Sequence, residues 1–395
     1  MFNTRFLRYD EEKILVNSLP SLEIEENSED LSISSERLEK AYGILFDAVK
    51  KGAVMGAAIQ VGREARFLNP RVFGRRGLEP DSPTVEQDTI FLTASVTKPV
   101  AATAVMMLIE RGELSLDDLV SKIVPEFSGR WKEKVSVRNL LTHTSGLPDM
   151  LPENRELRIR HASLDEFLEK IYTTPLLFEP GTNLSYSSTG IVVLGEIVKR
   201  LSGKPLPEFL DKELFKPLGM SDTSLGIDWN KVDRVSQVYI QPGNPDYGGP
   251  NDDYNWNSTY WRSLSHPWGG MFSTVSDLSK LLLMFLNEGK IGGQMIISPR
   301  TVKLMTSSQT NSMPHIPDDV KVSYSWGLGW TLKSPHNSWF GDLVSPATFG
   351  HLGATGCLVW ADPEERLTCA LLTNGGTEVY GLLSRFSNAL VTSVF

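Results

Sequence analysis

The chain has 395 residues, 41% of them hydrophobic and 22% charged, which describes a globular protein long enough for a sizeable core in one or two domains. A net charge of −9, with no basic run to offset it locally, excludes a nucleic-acid surface. No apolar stretch reaches the roughly 18 residues that a membrane span needs, so neither nucleic acid nor membrane is expected as a partner; the oligomeric state is not fixed by the sequence.

The first residues, MFNTRFLRYDEEKILVNS, carry charges where an export signal would have an apolar core, so a cytoplasmic protein is expected. Residues 1–34 read as an N-terminal extension, acidic and polar over 18–34. From Ser35, SSERLEKAYGILFDAVKKG has helical apolar spacing and stops at Gly52. AVMGAAIQVG and RVFGRRG then read as two strands. FLTASVTKPVAATAVMMLIERGELSLDD follows at 91–118, with a helix apolar almost all round, the mark of burial on several sides. It ends at Arg111-Gly112, and Ser115 with Asp118 predicts the start of a further helix.

Helices continue to about residue 225. The stretch 237–268 is rich in tyrosine and tryptophan among Asn, Gly and Pro, and a loop this long in a compact protein is usually functional. Trp256, Trp261 and Trp268 are candidates for a cleft wall that selects apolar groups, with packing of the loop on its own scaffold the competing reading. Thr274 and Asp277 cap another helix. YSWGLGWTL, TFGHLGATGCLVWAD and RLTCALLTNG read as strands, and an amphipathic helix from about Glu378 closes the chain. Cys357 and Cys369 flank the turn-like ADPEER, where they could face each other across a hairpin; two cysteines make no disulfide framework and both are expected in the core. The pattern predicts an α+β fold. Residues 35–92 and 320–395 form an antiparallel sheet flanked by helices, 93–319 a mostly helical part, and the site lies between them.

The chemistry centres on Ser95 and Lys98. Three residues apart on a helix, they share a face. A serine hydroxyl is a weak nucleophile until a base takes its proton, and a neutral lysine can serve if its pKa falls from about 10.4 to ~7, a change of ~4–5 kcal/mol. Burial and a helix N-terminus both push that way. The ring of Pro99 would clash with the carbonyl of Ser95, four residues back, so the helix is predicted to start there. By spacing alone the pair reads more readily as a serine cap with a lysine reaching solvent. No G-x-S-x-G occurs, which removes the nucleophile-elbow signature. His161, His266, His315 and His336 have no metal-ligand spacing, and no metal or cofactor is expected.

The segments TASVTK, LLTHTSGLPD, LSYSSTGIVVLGEIV, WGGMFSTVSDLSKLL and GHLGATGCLVWADPE occur in an order that resembles the class C β-lactamase-like serine hydrolases. That group includes penicillin-binding DD-peptidases, D-aminopeptidases and family VIII carboxylesterases. The resemblance covers about residues 35–390 and implies an acyl-enzyme on Ser95, with Lys98 and Tyr186 as its proton-transfer partners. His351 takes the place of the third motif's lysine. The backbone N–H groups of Ser95 and Ala354 would form the oxyanion hole, and Gly353 would admit the substrate backbone. His143 reads as a turn residue. Ser188 stands where the family has asparagine, a contact for the substrate's acyl amide, which points away from amide recognition; it could instead cap the following helix. A hydrolase of small esters or amides is therefore expected. A DD-peptidase, a D-aminopeptidase or a weak β-lactamase is the alternative, and a silent binding module of the same fold is the reading from another class.

Overall fold

The computed structural model describes residues 20–240, 248–335, 338–377 and 379–395. Its main sheet has eight strands, with the longest pairing at the centre: Leu367–Thr373 runs antiparallel to Gly56–Arg63 over seven residue pairs. Leu358–Asp362, Phe349–Leu352 and the short Thr331–Leu332 follow on one side. Arg66–Leu68 and Arg71–Gly74 pair with the other edge of Gly56–Arg63.

Side chains along Leu367–Thr373 alternate between two cores, as a pleated strand buried on both faces requires. Leu371 joins Leu38, Leu45, Leu383 and Phe386, the inner residues of the helices Ser35–Lys50 and Val379–Val391. Ala370 and Leu372 face the other core, with the helices Thr97–Glu110 and Val275–Leu286. The two cysteines fall on opposite faces, Cys357 in one core and Cys369 in the other, both free and buried, so they do not confront each other.

Several elements differ from the sequence reading. The acidic stretch before Ser35 holds more structure than its composition implied: Glu23–Glu25 pairs in parallel with Arg66–Leu68, and Leu31 and Ile33 are buried. Ser115 and Asp118 do bond, Ser115 N–H to the Asp118 carboxylate at 2.8 Å, but they close a turn, and only four residues, Val120–Ile123, become helical. Of YSWGLGWTL only Thr331–Leu332 forms a strand; Gly329, at a positive φ of 81°, bends the chain so that Trp326 pairs with Thr331 as a lone bridge. Ser34, Ser163, Ser187 and Thr274 each accept from a backbone N–H at a helix start, Thr274 being the one of the four read as a cap from the sequence. Among the described residues no helix is long and apolar enough to cross a membrane, and no cluster of three or more His, Cys, Asp or Glu could hold a metal.

Candidate active site

Ser95 sits in a single 3₁₀ turn, Ala94–Val96, that feeds the buried helix Thr97–Glu110. The helix proper therefore begins two residues later than Pro99 implied. Ala94 holds a left-handed φ of 47°, a strained conformation for a residue with a Cβ. Its neighbours fix it there. Thr93 donates through its amide and its hydroxyl to the Met271 carbonyl, at 2.9 and 3.0 Å, and the Thr97 hydroxyl donates to the Ala94 carbonyl at 2.7 Å. Gly353 explains how the sheet can approach: a Cβ there would lie 2.3 Å from the Thr93 carbonyl oxygen, so only glycine lets the Gly353–Cys357 turn reach the serine.

Lys98 has no exposed surface. Its Nζ lies 2.9 Å from Ser95 Oγ and donates to the Trp268 carbonyl at 2.8 Å. Burial pulls its pKa down to about 7, partly opposed by the Asp149 carboxylate. The pair is thus an amine that can be neutral near neutral pH, in contact with a hydroxyl. That is the arrangement a serine nucleophile needs.

Tyr186 places its ring 4.7 Å from Lys98 Nζ, against His143 on one side (centroids 4.7 Å apart) and within 6.2 Å of the His351 ring. His143 holds this segment rather than reacting: its Nδ1 accepts from the Ser187 amide at 3.0 Å and its carbonyl from the Ser185 amide at 2.9 Å. His351, buried, directs Nδ1 to the Leu352 carbonyl at 2.8 Å, which makes Nδ1 the protonated nitrogen and leaves Nε2 as an acceptor. Burial, then the nearby Lys98, pushes its pKa down to about 3, so the imidazole is neutral.

Ser188 is not the helix cap. Ser187 is, while the Ser188 amide and hydroxyl both donate to Asp149 Oδ1, at 3.0 and 2.7 Å.

Two cavities open on Ser95, and Tyr186 and Ala354 border both. The larger, about 680 Å³, is walled chiefly by apolar side chains, among them Leu184, Tyr324, Trp326 and Trp339. The smaller, about 140 Å³, is bordered by Asp149, Ser188, Trp256, Trp261, His266 and Trp268.

A protein-family model described as Beta-lactamase matches residues 43–390. The chain belongs to this family. A protein of Escherichia coli (strain K12), provisionally named a D-alanyl-D-alanine carboxypeptidase, is 27% identical over 310 residues, which cover 72% of this chain and 69% of that one. Two solved structures share the fold. One is a penicillin-binding protein homologue from Caulobacter crescentus (TM-score 0.76, 22% identity, 91% of this chain and 98% of that one). The other is EstCE1, described as a hydrolase with promiscuous acyltransferase activity (TM-score 0.74, 24% identity, 90% and 98%).

The fold thus brings Ser95, Lys98, Tyr186, His351, Gly353 and Ala354 to one place, from segments up to 259 positions apart. Trp256, Trp261 and Trp268, the three candidates of the aromatic stretch, all border the smaller cleft. Trp261 and Trp268 border the smaller cleft but are almost wholly buried, packed on His266 with centroids 4.4 and 4.2 Å away; Trp256 is half-buried, and Tyr247 lies outside the described residues. The walls of the large cavity come instead from the segment 324–339, which sequence reasoning missed. Its signal was the spacing of Tyr324, Trp326 and Trp339 across a stretch too rich in Gly and Pro to be one strand.

Proposed function

We propose that this protein is a serine hydrolase that cleaves uncharged esters of small carboxylic acids through an acyl-enzyme on Ser95. The observation that carries this reading is the contact of Lys98 Nζ with Ser95 Oγ at 2.9 Å, made by an amine whose burial makes the neutral form available.

In the reaction, neutral Lys98 takes the Ser95 proton as Oγ attacks the carbonyl carbon, and the carbonyl oxygen turns toward the amides of Ser95 and Ala354. One such donor is worth roughly 3–4 kcal/mol in the transition state. The lysine, now charged beside the Tyr186 ring, favours proton exchange with the phenol, which hands the proton to the departing alkoxide. A water in the vacated place then returns the proton by the same route and frees the acid. Ser188 borders the smaller cleft, and by the family resemblance its position meets the acyl side. The acyl group is therefore assigned to the smaller cleft and the alcohol to the larger cavity.

Two features separate this from a peptidase that grips a terminal carboxylate. No lysine or arginine borders the larger cavity among the described residues, and its one imidazole is neutral with an acceptor nitrogen. Such a wall offers a carboxylate hydroxyl and indole donors but no cation, and a charge buried there without a counter-charge is costly. The test is labelling with a fluorophosphonate followed by rate comparison of p-nitrophenyl esters, D-amino-acid amides and nitrocefin. An adduct on Ser95 with esters fastest supports the reading. Absence of any serine adduct would establish the silent binding module instead.

A further inference from the structure

The larger cavity does not end where burial ends. Tyr324 and Trp339, both part of its wall, keep 51% and 37% of their surface exposed, although large aromatic side chains are normally covered. Inside them lie Leu184, Leu352 and Trp326, and Ser95 stands at the inner end. The space of about 680 Å³ is far more than a methyl or ethyl group fills, and falls in the range of roughly 300–1,000 Å³ that encloses a drug-sized ligand. No charged side chain borders it among the described residues. Its polar groups are Ser95, Tyr186 and His351, which the reaction itself uses, the buried Thr331 hydroxyl, and the hydroxyl and indole N–H of Tyr324 and Trp339. The rest of the wall is chiefly aromatic and aliphatic contact area, from the buried Trp326 to the exposed Tyr324 and Trp339.

We infer that this cavity binds the alcohol part of the substrate, and that this part is a large uncharged apolar group, an extended alkyl chain or fused ring, whose outer end rests on Tyr324 and Trp339. The inference rests on the ester-hydrolase reading for the identity of the reacting bond, but the apolar site itself does not depend on it. Its energetic basis is apolar burial, which grows with each methylene added until the space is full. The short side of the substrate is then the acyl group, because the cleft of about 140 Å³ on the other side of Ser95 leaves little room.

The experiment uses primary alkyl acetates from ethyl to octyl, whose alcohols have nearly the same acidity, so that size alone varies. In wild type, kcat/KM is expected to rise by about twofold or more per methylene before levelling off. Tyr324→Ala and Trp339→Ala should each lower it for octyl acetate at least fivefold more than for ethyl acetate, while Leu177→Ala, an exposed residue outside the cavity lining, leaves that ratio unchanged. Binding of 1-octanol to Ser95→Ala protein, followed by tryptophan fluorescence, provides a readout without turnover. It should saturate, and weaken when Tyr324→Ala is added. Ester hydrolysis with a flat alkyl series and no octanol binding would overturn the inference while leaving the hydrolase standing. Octanol binding without hydrolysis or adduct would do the reverse, upholding the apolar site and removing the reaction.

Discussion

Lys98 Nζ donates to the carbonyl of Trp268 at 2.8 Å, a bond between residues 170 positions apart that aims the amine at Ser95. The proposed base is thus positioned by the segment that enters Met271–Ser273, the middle strand of a separate three-stranded sheet, and not by its own helix alone. That strand also carries the Met271 carbonyl to which Thr93 is tied, so serine and lysine are fixed against the same piece of backbone.

Replacing the nucleophile should separate chemistry from binding. Ser95→Ala is expected to lower kcat by several orders of magnitude, leaving what positioning and the oxyanion donors supply. Mass spectrometry of wild type with a slow substrate should map a single adduct to the peptide that contains Ser95. An adduct on any other serine refutes the assignment.

The buried lysine predicts two pH effects. Catalysis needs its neutral form, so kcat/KM should rise as pH passes through about 7 and then level off. Asp149→Asn removes a carboxylate that favours the charged form, which should move this limb to lower pH. For stability, the folded-state pKa lies below the unfolded one, so between about pH 7 and 10.5 the unfolded chain binds the extra proton and the burial penalty relaxes as pH rises. The stability of Lys98→Met relative to wild type should therefore be greatest near pH 7 and decline toward pH 10, by denaturant titration at each pH. A constant difference would show that Lys98 is not depressed.

Lys98 and Tyr186 are expected to behave as one unit, since the amine nitrogen lies 4.7 Å from the ring centroid. Lys98→Ala and Tyr186→Phe should each cost activity heavily, and the double variant little more than the worse single one. Losses that simply add would mean the two groups act independently.

His351 borders the larger cavity, and its substitution tests the charge preference proposed for that cavity. Because its imidazole is neutral over the working range, His351→Gln should leave the limb near pH 7 in place while lowering kcat. His351→Lys introduces a cation where, among the described residues, none borders the cavity, and should raise kcat/KM for carboxylate-bearing substrates relative to plain esters by about tenfold, the scale of one charge-assisted hydrogen bond. Unchanged discrimination would show that the carboxylate is read elsewhere.

The cap of the helix Ser188–Ser202 provides a stability check. Ser187 accepts from the Gly190 amide at 3.0 Å, so Ser187→Ala should cost ~1 kcal/mol of unfolding free energy. Ser188→Asn breaks the Ser188 hydroxyl bond to Asp149 and presents an amide to the smaller cleft; kcat/KM for acylamino substrates relative to plain esters should rise. A wild-type enzyme that already prefers acylamino substrates contradicts this reading of Ser188.

What the sequence determined by itself was local. Apolar period, serine and threonine caps and positive-φ glycines such as Gly52 and Gly112 place the helices Ser35–Lys50, Thr97–Glu110 and Val275–Leu286, because those signals act within a few residues. The spacing of Ser95 and Lys98 puts them on one face by helix geometry alone. Their meaning did not follow from spacing. Only the packing of Thr97–Glu110 between sheet and helices removes Lys98 from water and so makes its neutral form available. The protonated nitrogen of His351 is decided by the rotamer that directs Nδ1 to the carbonyl of Leu352, the next residue of the strand. The roles of the aromatics were likewise beyond the sequence. Trp261 and Trp268 border the smaller cleft and also pack on His266, while Tyr324 and Trp339, in a segment without regular period, border the larger cavity and keep part of their surface exposed. An aromatic side chain stabilises a core or a ligand by the same burial of apolar area. Which of the two it does depends on what the folded chain puts against it.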